Sequence, residues 1–396
     1  MILGIRSRKE GHYITTQPER HTHGPLSEGQ WKLESVQSRE LLDDEVLVRI
    51  IASGICLADV HIGDAPAALG DNVGSPVYYP RVLGHEGSGY VEKTGSSVSQ
   101  LSVGDPVLLS FTSCSTCYAC EDNHPAHCAD MFRLNFVADR EVYRLEGSDR
   151  YDIGGSFFCQ SSFASRAVVK ARCLVNLRGV VESDEELKYL GPLGCGVQTG
   201  SAAMLNIGGV KAGQDVAIIG VGSVGLSAIM ASSMRGCRRI IAVDKNESRL
   251  QLAKTLGATH TVTTSDESTD LTAEVRKIAD GRGVHVSLDT TGVRALARAS
   301  YDFACNGGKI IPVGMSAPTD TWDIPMLDLM NSGKQILGCV QGDVVPQQYA
   351  LDMIAWKKKG LFPFEKIMKF YNVSDFGKAL EDMRLGEAVK PVLVWP

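Results

Sequence analysis

Four cysteines fall within fifteen residues: Cys114-Ser-Thr-Cys117-Tyr-Ala-Cys120, then seven residues to Cys128. Two-residue gaps let successive sulfurs turn towards one centre. Four thiolates fill a tetrahedral Zn²⁺ shell with no open position, as a structural site requires. An iron–sulfur cluster is the rival metal, and unconnected thiols or disulfides are the plain alternative. His124 and His127 lie inside the same loop; with four thiols at hand, both read as exposed loop residues rather than ligands.

A second group of ligand types is spread along the chain. It comprises Cys56 in Gly54-Ile-Cys-Leu-Ala-Asp-Val-His61, His85 and Glu86 in Gly84-His-Glu-Gly87, and Cys195 in Gly191-Pro-Leu-Gly-Cys-Gly196. Any one alone is more often an ordinary packed residue. Together, two thiolates and an imidazole would hold zinc with a fourth position open for water, a carboxylate or a substrate oxygen. A metal so held polarises that oxygen and prepares the carbon for hydride transfer. Glu86 would enter or leave the shell, and Asp59 would orient His85 from behind.

A third motif, Gly220-Val-Gly222-Ser-Val-Gly225, follows Val-Ala-Ile-Ile and opens a helical pattern. Gly222 would let the backbone approach a pyrophosphate, and the helix N-terminus would offer it free N–H groups. Asp244 stands 19 residues past Gly225, at the end of the next apolar run. Its carboxylate would accept from ribose hydroxyls and repel a 2′-phosphate, so NAD(H) is favoured over NADP(H). The neighbouring Lys245 keeps NADP(H) open, and a nucleotide-free Rossmann domain is the plain alternative.

These residues need scaffolds of two kinds. The chain has 396 residues, enough for two or three domains. Before residue 195, short alternating runs such as Glu45–Ile51 and Gly87–Glu92 are broken by Gly, Pro and Ser clusters, the pattern of an irregular β region. After it, strands expected at Val216–Ile219, Arg239–Val243, His260–Thr263, Val284–Asp289, Lys309–Val313 and Gln335–Val340 alternate with helices such as Val224–Arg235 and Ser248–Leu256. That alternation is α/β and predicts a doubly wound parallel sheet. The last 50 or so residues carry no further βαβ unit and are expected to return to the first region.

Taken as an ordered set, these motifs resemble the zinc-dependent medium-chain alcohol dehydrogenase family over nearly the whole chain. The match rests on Gly-Ile-Cys with Asp59 and His61, Gly-His-Glu, the four-cysteine lobe, Gly-Cys-Gly with Thr199-Gly200, the glycine-rich turn and Asp244. It implies a GroES-like, mainly β catalytic domain over 1–195 with a structural zinc lobe near 112–130. A Rossmann domain would span 196–340, and 341–396 would return to the catalytic domain. It further implies two zinc ions per chain, Thr199 against the nicotinamide, Lys390 near the cofactor phosphates, and a homodimer or homotetramer.

Two departures from the family pattern bear on chemistry. The family usually has Ser or Thr two residues after the first zinc cysteine, relaying the alcohol proton towards the histidine at the His61 position. This chain has Ala58, which neither donates nor accepts, and Leu57 replaces the Arg or His often found before it. Phe157-Phe-Cys-Gln-Ser-Ser-Phe-Ala164 and the long insertion from Ala129 to Gly155 resemble the aryl- and benzyl-alcohol branch. By that resemblance Ala58, Ser110, Phe157, Phe158, Met315 and Val340 line an apolar pocket suited to a flat ring. The leading expectation is an NAD(H)-dependent enzyme for an aromatic or allylic alcohol/aldehyde pair. A reductase of conjugated C=C or C=N bonds, which tolerates the lost relay, is the alternative within the family. A catalytically silent zinc-binding scaffold is the alternative outside it.

Composition narrows the partners. Net charge is −6, which removes a global electrostatic case for nucleic acid or acidic membranes. No apolar run approaches 18 residues, and the segment Met1–Gly11 carries Arg6, Arg8 and Lys9 with no apolar stretch after them. Neither a membrane span nor a secretory signal is expected. Reduced cysteines in a cytoplasmic setting are therefore the default expectation, and eleven cysteines cannot in any case all pair. Cys159, Cys173, Cys237, Cys305 and Cys339 read as ordinary packing thiols.

Overall fold

The computed structural model describes residues 10–17, 30–64, 79–137, 139–266, 269–317 and 319–396. Arg6, Arg8 and Lys9 lie outside the described residues. The chain divides into two units, 1–195 with 369–396, and 196–368. Among the described residues, no helix is long and apolar enough to cross a membrane.

The first unit opens with β1 (Glu10–Gln17), β2 (Gln30–Ser38), β3 (Glu45–Gly54) and the helix α1 (Leu57–Asp64). It continues with β4 (Arg81–Val82), β5 (Gly87–Thr94), β6 (Pro106–Leu109), β7 (Asp139–Leu145), β8 (Ile153–Gly155), β9 (Arg166–Lys170) and β10 (Leu174–Asn176). Strands β1, β2, β7, β8 and β4 close into a barrel. In β3, Val46, Val48 and Ile50 alternate into the core, as a half-buried strand demands.

The second unit begins with α2 (Gly196–Ala202), wholly buried, followed by β11 (Asp215–Ile219) and α3 (Ser223–Met234). Then come β12 (Arg239–Asp244), α4 (Glu247–Thr255), β13 (His260–Thr263), α5 (Leu271–Ile278), β14 (Val284–Asp289), α6 (Arg294–Asp302), β15 (Ala304–Pro312), α7 (Met326–Ser332) and β16 (Gln335–Ile336). The six strands are all parallel, in the order β13-β12-β11-β14-β15-β16. That is the doubly wound order, with its reversal beside β11, whose five residues are all buried. Local signals set the helix ends. Asn246 caps α4 by accepting from Ser248 N and Arg249 N, and Asp270 caps α5 by accepting from Ala273 N.

The structure corrects two expected boundaries. The strand expected over Gln335–Val340 stops at Ile336. It is the outermost strand, and its last ladder bond, Leu337 N to Ile310 O, lies two residues before the neighbouring strand ends at Pro312, which has no N–H to donate. The return to the first unit comes at Lys369, not 341. Helix α8 (Pro346–Lys358) buries Tyr349, Ala350, Met353 and Ile354 in the second unit. The Tyr349 hydroxyl lies 3.1 Å from Ser201 Oγ of α2. Phe362 and Phe364 then bury completely before the chain leaves.

The returning segment supplies β17 (Met368–Asn372), the helix α9 (Phe376–Leu385) and β18 (Lys390–Val394). These strands complete a sheet ordered β10-β6-β5-β3-β18-β17, with β9 also paired to β3. Val392 pairs with Gly54, and Ile55 N donates to Pro391 O. The C-terminal strand thus lies against the end of β3 that leads into Cys56.

Candidate active site

Cys56, His85, Glu86 and Cys195 all belong to the first unit, and one ligand atom from each lies within 4.8 Å of the others. Cys56 follows β3 into α1, His85 and Glu86 precede β5, and Cys195 ends a tight glycine-rich turn over Gly191–Gly194. The turns need their glycines. A Cβ on Gly54 would sit 2.1 Å from Glu86 Oε2, and one on Gly194 would sit 2.0 Å from Leu109 O.

The Asp59 carboxylate organises the site from behind. Its Oδ1 lies 2.8 Å from His85 Nδ1 and accepts from Gly84 N, while Oδ2 accepts from Cys56 N. With Nδ1 held there, Nε2 faces the Cys195 sulfur at 3.2 Å, the arrangement that presents Nε2 to a metal. Burial disfavours a charged His85, but Asp59 and Cys56 outweigh it, and its pKa stands well above the ordinary value. A hydrogen bond from Cys195 holds the Cys56 thiol well below its usual value despite burial, and the same contact pushes Cys195 up. Two sulfurs and an imidazole gathered within 4.8 Å suit a borderline-soft dication, so the residues fit zinc.

Glu86 is wholly buried, and burial raises its carboxyl to about 7. Opposing that, Lys390 Nζ donates to Glu86 Oε1 and Oε2 at 2.9 Å each and to Ile55 O at 3.1 Å. Burial lowers the Lys390 pKa, yet Glu86 outweighs it and holds the ammonium above its ordinary range. Lys390, expected near the cofactor phosphates, thus stands as the partner of Glu86. It is fully buried, and all three of its N–H donors are taken inside the first unit.

An aromatic wall backs His85. The Phe158 ring stacks on the imidazole at 4.4 Å and 22°, and Phe157 meets it edge-on at 5.4 Å. Phe136 packs on both phenylalanines, and the buried Arg81 guanidinium covers the Phe157 ring at 5.1 Å. Arg81 donates to Phe136 O, its Nε and Nη2 have no hydrogen-bond partner among the described residues, and burial lowers its pKa to about 10. Backbone strain accompanies the wall: Ser156, Phe158, Cys159 and Ser161 all have φ between 51° and 60°. For non-glycine residues that conformation costs about 1–2 kcal/mol each.

The four-cysteine lobe is a separate centre. Its sulfurs lie within 4.8 Å of one another, with Cys117–Cys120 at 3.5 Å and Cys114–Cys120 at 3.9 Å. A zinc tetrahedron with bonds of about 2.3 Å has sulfur–sulfur edges of about 3.8 Å. Backbone N–H groups of Cys114, Cys117, Ala129 and Asp130 point at the sulfurs, as thiolates require. Hydrogen bonds from Thr116 lower the Cys114 thiol to about 6, whereas burial lifts Cys128 to about 12. His124 and His127 are exposed and outside this group. None of the eleven cysteines forms a disulfide.

In the second unit the glycine-rich turn joins β11 to α3. Gly220 has φ +81°, and a Cβ there would meet Thr290 Oγ1 at 2.5 Å. A Cβ on Gly225 would lie 1.9 Å from Gly220 O, so helix and turn touch through it. Gly222 faces open space, with nothing within 4 Å of a built Cβ, which is the cradle a phosphate would fill. Asp244 Oδ2 accepts from Val221 N and Oδ1 from Asn246 N. Its carboxylate is fixed at the tip of β12, with exposed Lys245 beside it.

Comparison with known proteins agrees with this geometry. Residues 42–179 match the alcohol dehydrogenase GroES-like domain, and residues 223–358 the zinc-binding dehydrogenase domain. A geraniol dehydrogenase of Castellaniella defragrans is 38% identical over 95% of this chain and 96% of its own length. The chain belongs to the zinc-dependent medium-chain alcohol dehydrogenases. It is an oxidoreductase of that family. The crystal structure of benzyl alcohol dehydrogenase from Acinetobacter calcoaceticus superposes with a TM-score of 0.85 at 34% identity, covering 98% of this chain and all of that one. An alcohol dehydrogenase zinc-binding domain protein from Burkholderia ambifaria matches equally, at 0.85 and 34%, over 97% of this chain and 100% of its own.

The remaining candidate residues fall as follows. Ala58 is half-buried and His61 exposed, both on α1. Ser110 is buried and donates to Gly194 O. Thr199 is buried on α2, where Gly200 allows α3 to approach within 1.9 Å of a built Cβ. Met315 and Val340 are exposed residues of the second unit. Sequence reasoning missed Gln160, whose buried amide meets three backbone groups around the metal ligands. The available signal was an amide set in an aromatic run, Phe157-Phe-Cys-Gln-Ser-Ser-Phe163.

Proposed function

We propose that this enzyme interconverts an aromatic or allylic alcohol and its aldehyde with a nicotinamide dinucleotide, NAD(H) in preference to NADP(H). The observation that carries the reading is the open ligand set of Cys56, His85 and Cys195 with the Phe157–Phe158 wall packed on the histidine. The named relatives support the substrate class, since geraniol is an allylic alcohol and benzyl alcohol an aromatic one.

A zinc ion held by Cys56, His85 and Cys195 supplies Lewis-acid polarisation of the substrate oxygen when bound. Asp59 fixes the imidazole so that Nε2 remains available. Glu86 balances the buried Lys390 and stands close enough to act as a further ligand. The four cysteines of the lobe would hold a second zinc with no open position. Ala58 offers no hydroxyl, so the alcohol proton leaves through water towards exposed His61, about one turn along the same helix. Asp244 would receive the ribose hydroxyls, Gly222 leaves room for the pyrophosphate, and Thr199 would contact the nicotinamide.

Exposed Met326, Leu327 and Met330 on α7 and exposed Ile336 on the edge strand β16 support assembly of copies through this part of the second unit. Free thiols throughout suit a reducing, cytoplasmic setting. The deciding experiment is a substrate panel of benzyl alcohol, geraniol, their aldehydes and an enal lacking an aromatic ring, each with NAD(H) and NADP(H). Alcohol–aldehyde turnover with NAD(H) is expected. Reduction of the conjugated C=C bond alone would replace this reading with the reductase one, and no turnover with two metals bound would refute both.

A further inference from the structure

Gln160 is fully buried, although its side chain carries an amide. Its Nε2 donates to His85 O at 3.0 Å and to Ser110 O at 3.1 Å, and its Oε1 accepts from Gly87 N at 3.2 Å. Two carbonyls face the NH₂ group and one N–H faces the oxygen, so only this orientation of the amide satisfies all three. His85 and Gly87 bracket the His-Glu pair. Ser110 extends the tie, because its hydroxyl donates to Gly194 O at 2.7 Å, one residue before Cys195.

We propose that Gln160 is a positioning residue for the open metal site, clamping through its amide the backbone segments that present His85 and Cys195. The inference rests on the open-site reading given above. Backbone conformation supports it. Gln160 lies within the run where Ser156, Phe158, Cys159 and Ser161 adopt left-handed φ values. Strain of this kind persists only where the surroundings over-determine it. Here Ser161 Oγ accepts from Phe157 N and donates to Val82 O, pinning the turn internally and to β4. The strained turn delivers two things to one place: the Phe158 ring on the imidazole face and the Gln160 amide on the His85 carbonyl. Without the amide, the His85 and Ser110 carbonyls would face each other across a dry gap, and the loops carrying two ligands would be free to separate.

The test uses the metal-loaded full-length protein with a chromophoric chelator, following metal release from the two centres, and the visible spectrum after cobalt replaces zinc. Gln160→Met keeps the length and removes both donors. Gln160→Glu keeps the acceptor for Gly87 N but sets an oxygen against the two carbonyls. Ser110→Ala cuts only the outer link to Gly194 and spares the strained turn. Partners behind metal ligands typically govern affinity by 10–100-fold. Release from the open site is therefore expected to quicken about 10–100-fold in the Gln160 variants and several-fold in Ser110→Ala, with altered cobalt bands. The four-cysteine centre should release at the wild-type rate. Folded variants with wild-type release and spectrum would overturn the proposal, as would equal acceleration at both centres, which marks general loosening. If neither Gln160 variant folds, Ser110→Ala decides: wild-type release there overturns the proposal. A wild type that holds one metal per chain would overturn the open-site reading as well.

Discussion

Removing Lys390 tests how the buried acid of the site is balanced. The ammonium and the Glu86 carboxylate are both inaccessible to solvent, with two contacts of 2.9 Å. At that separation, with an effective dielectric constant of about 20, Coulomb attraction is on the order of 6 kcal/mol. Desolvation of both ions consumes much of it, so the pair adds little net stability. Breaking it from one side strands the other charge, at a cost of about 3–5 kcal/mol. Lys390→Met and Glu86→Gln are each expected to lose that amount in equilibrium urea unfolding, corresponding to roughly 4–6 °C in melting temperature for a chain of 396 residues. The double variant Lys390→Met/Glu86→Gln removes both charges and should recover most of the loss, giving a coupling of about 3 kcal/mol or more. Metal content measured alongside separates loss of the pair from loss of zinc. Additive single effects, with a coupling below about 0.5 kcal/mol, would refute the claim that these groups depend on one another.

Cys195→Ala should abolish turnover and one metal equivalent with a modest change in stability, whereas Cys117→Ala should chiefly lower the melting temperature; retained turnover in Cys195→Ala would remove it from the site. Gly225→Ala drives a methyl to within 1.9 Å of Gly220 O and should cost about 1–3 kcal/mol. Gly222→Ala meets nothing, so it should keep the melting temperature while weakening dinucleotide binding at least tenfold by fluorescence titration. Ala58→Ser should raise the rate of alcohol oxidation if the missing hydroxyl limits proton release, and an unchanged rate would show that water already carries the proton. Asp382, buried among Lys369, Lys378 and the Tyr371 hydroxyl, is held well below the usual carboxylate range by hydrogen bonds from those groups. A depressed folded pKa adds stability above the unfolded value of about 3.9 and loses it as pH falls towards the folded one. The gap between wild type and Asp382→Asn in urea midpoints should persist from pH 7 to about 4 and close below it; a constant gap would disprove the linkage.

Local chemistry made much of this protein legible in its sequence. The four-cysteine spacing, the glycine-rich turn with Asp244, and the alternation of β11 to β15 with helices all rest on contacts within a few residues, or on periods of 2 and 3.6 that burial imposes. Cys56, His85 and Cys195 were recognisable as ligand types in glycine-flanked settings, and their order supported a family resemblance. Tertiary structure alone decided the rest, because the contacts join residues far apart in the chain. Lys390 meets Glu86 across 304 positions because β18 pairs with β3, a contact that no spacing along the chain announces. Helix α8 stays with the second unit because its apolar face packs there, which no composition shift announces. Gln160 reads as one polar residue among aromatics until the fold brings three backbone groups to its amide. Sequence determined which atoms were available for the chemistry. Only folding decided which of them stand within hydrogen-bond reach of one another, since a reach of about 3 Å is set by packing and not by spacing along the chain.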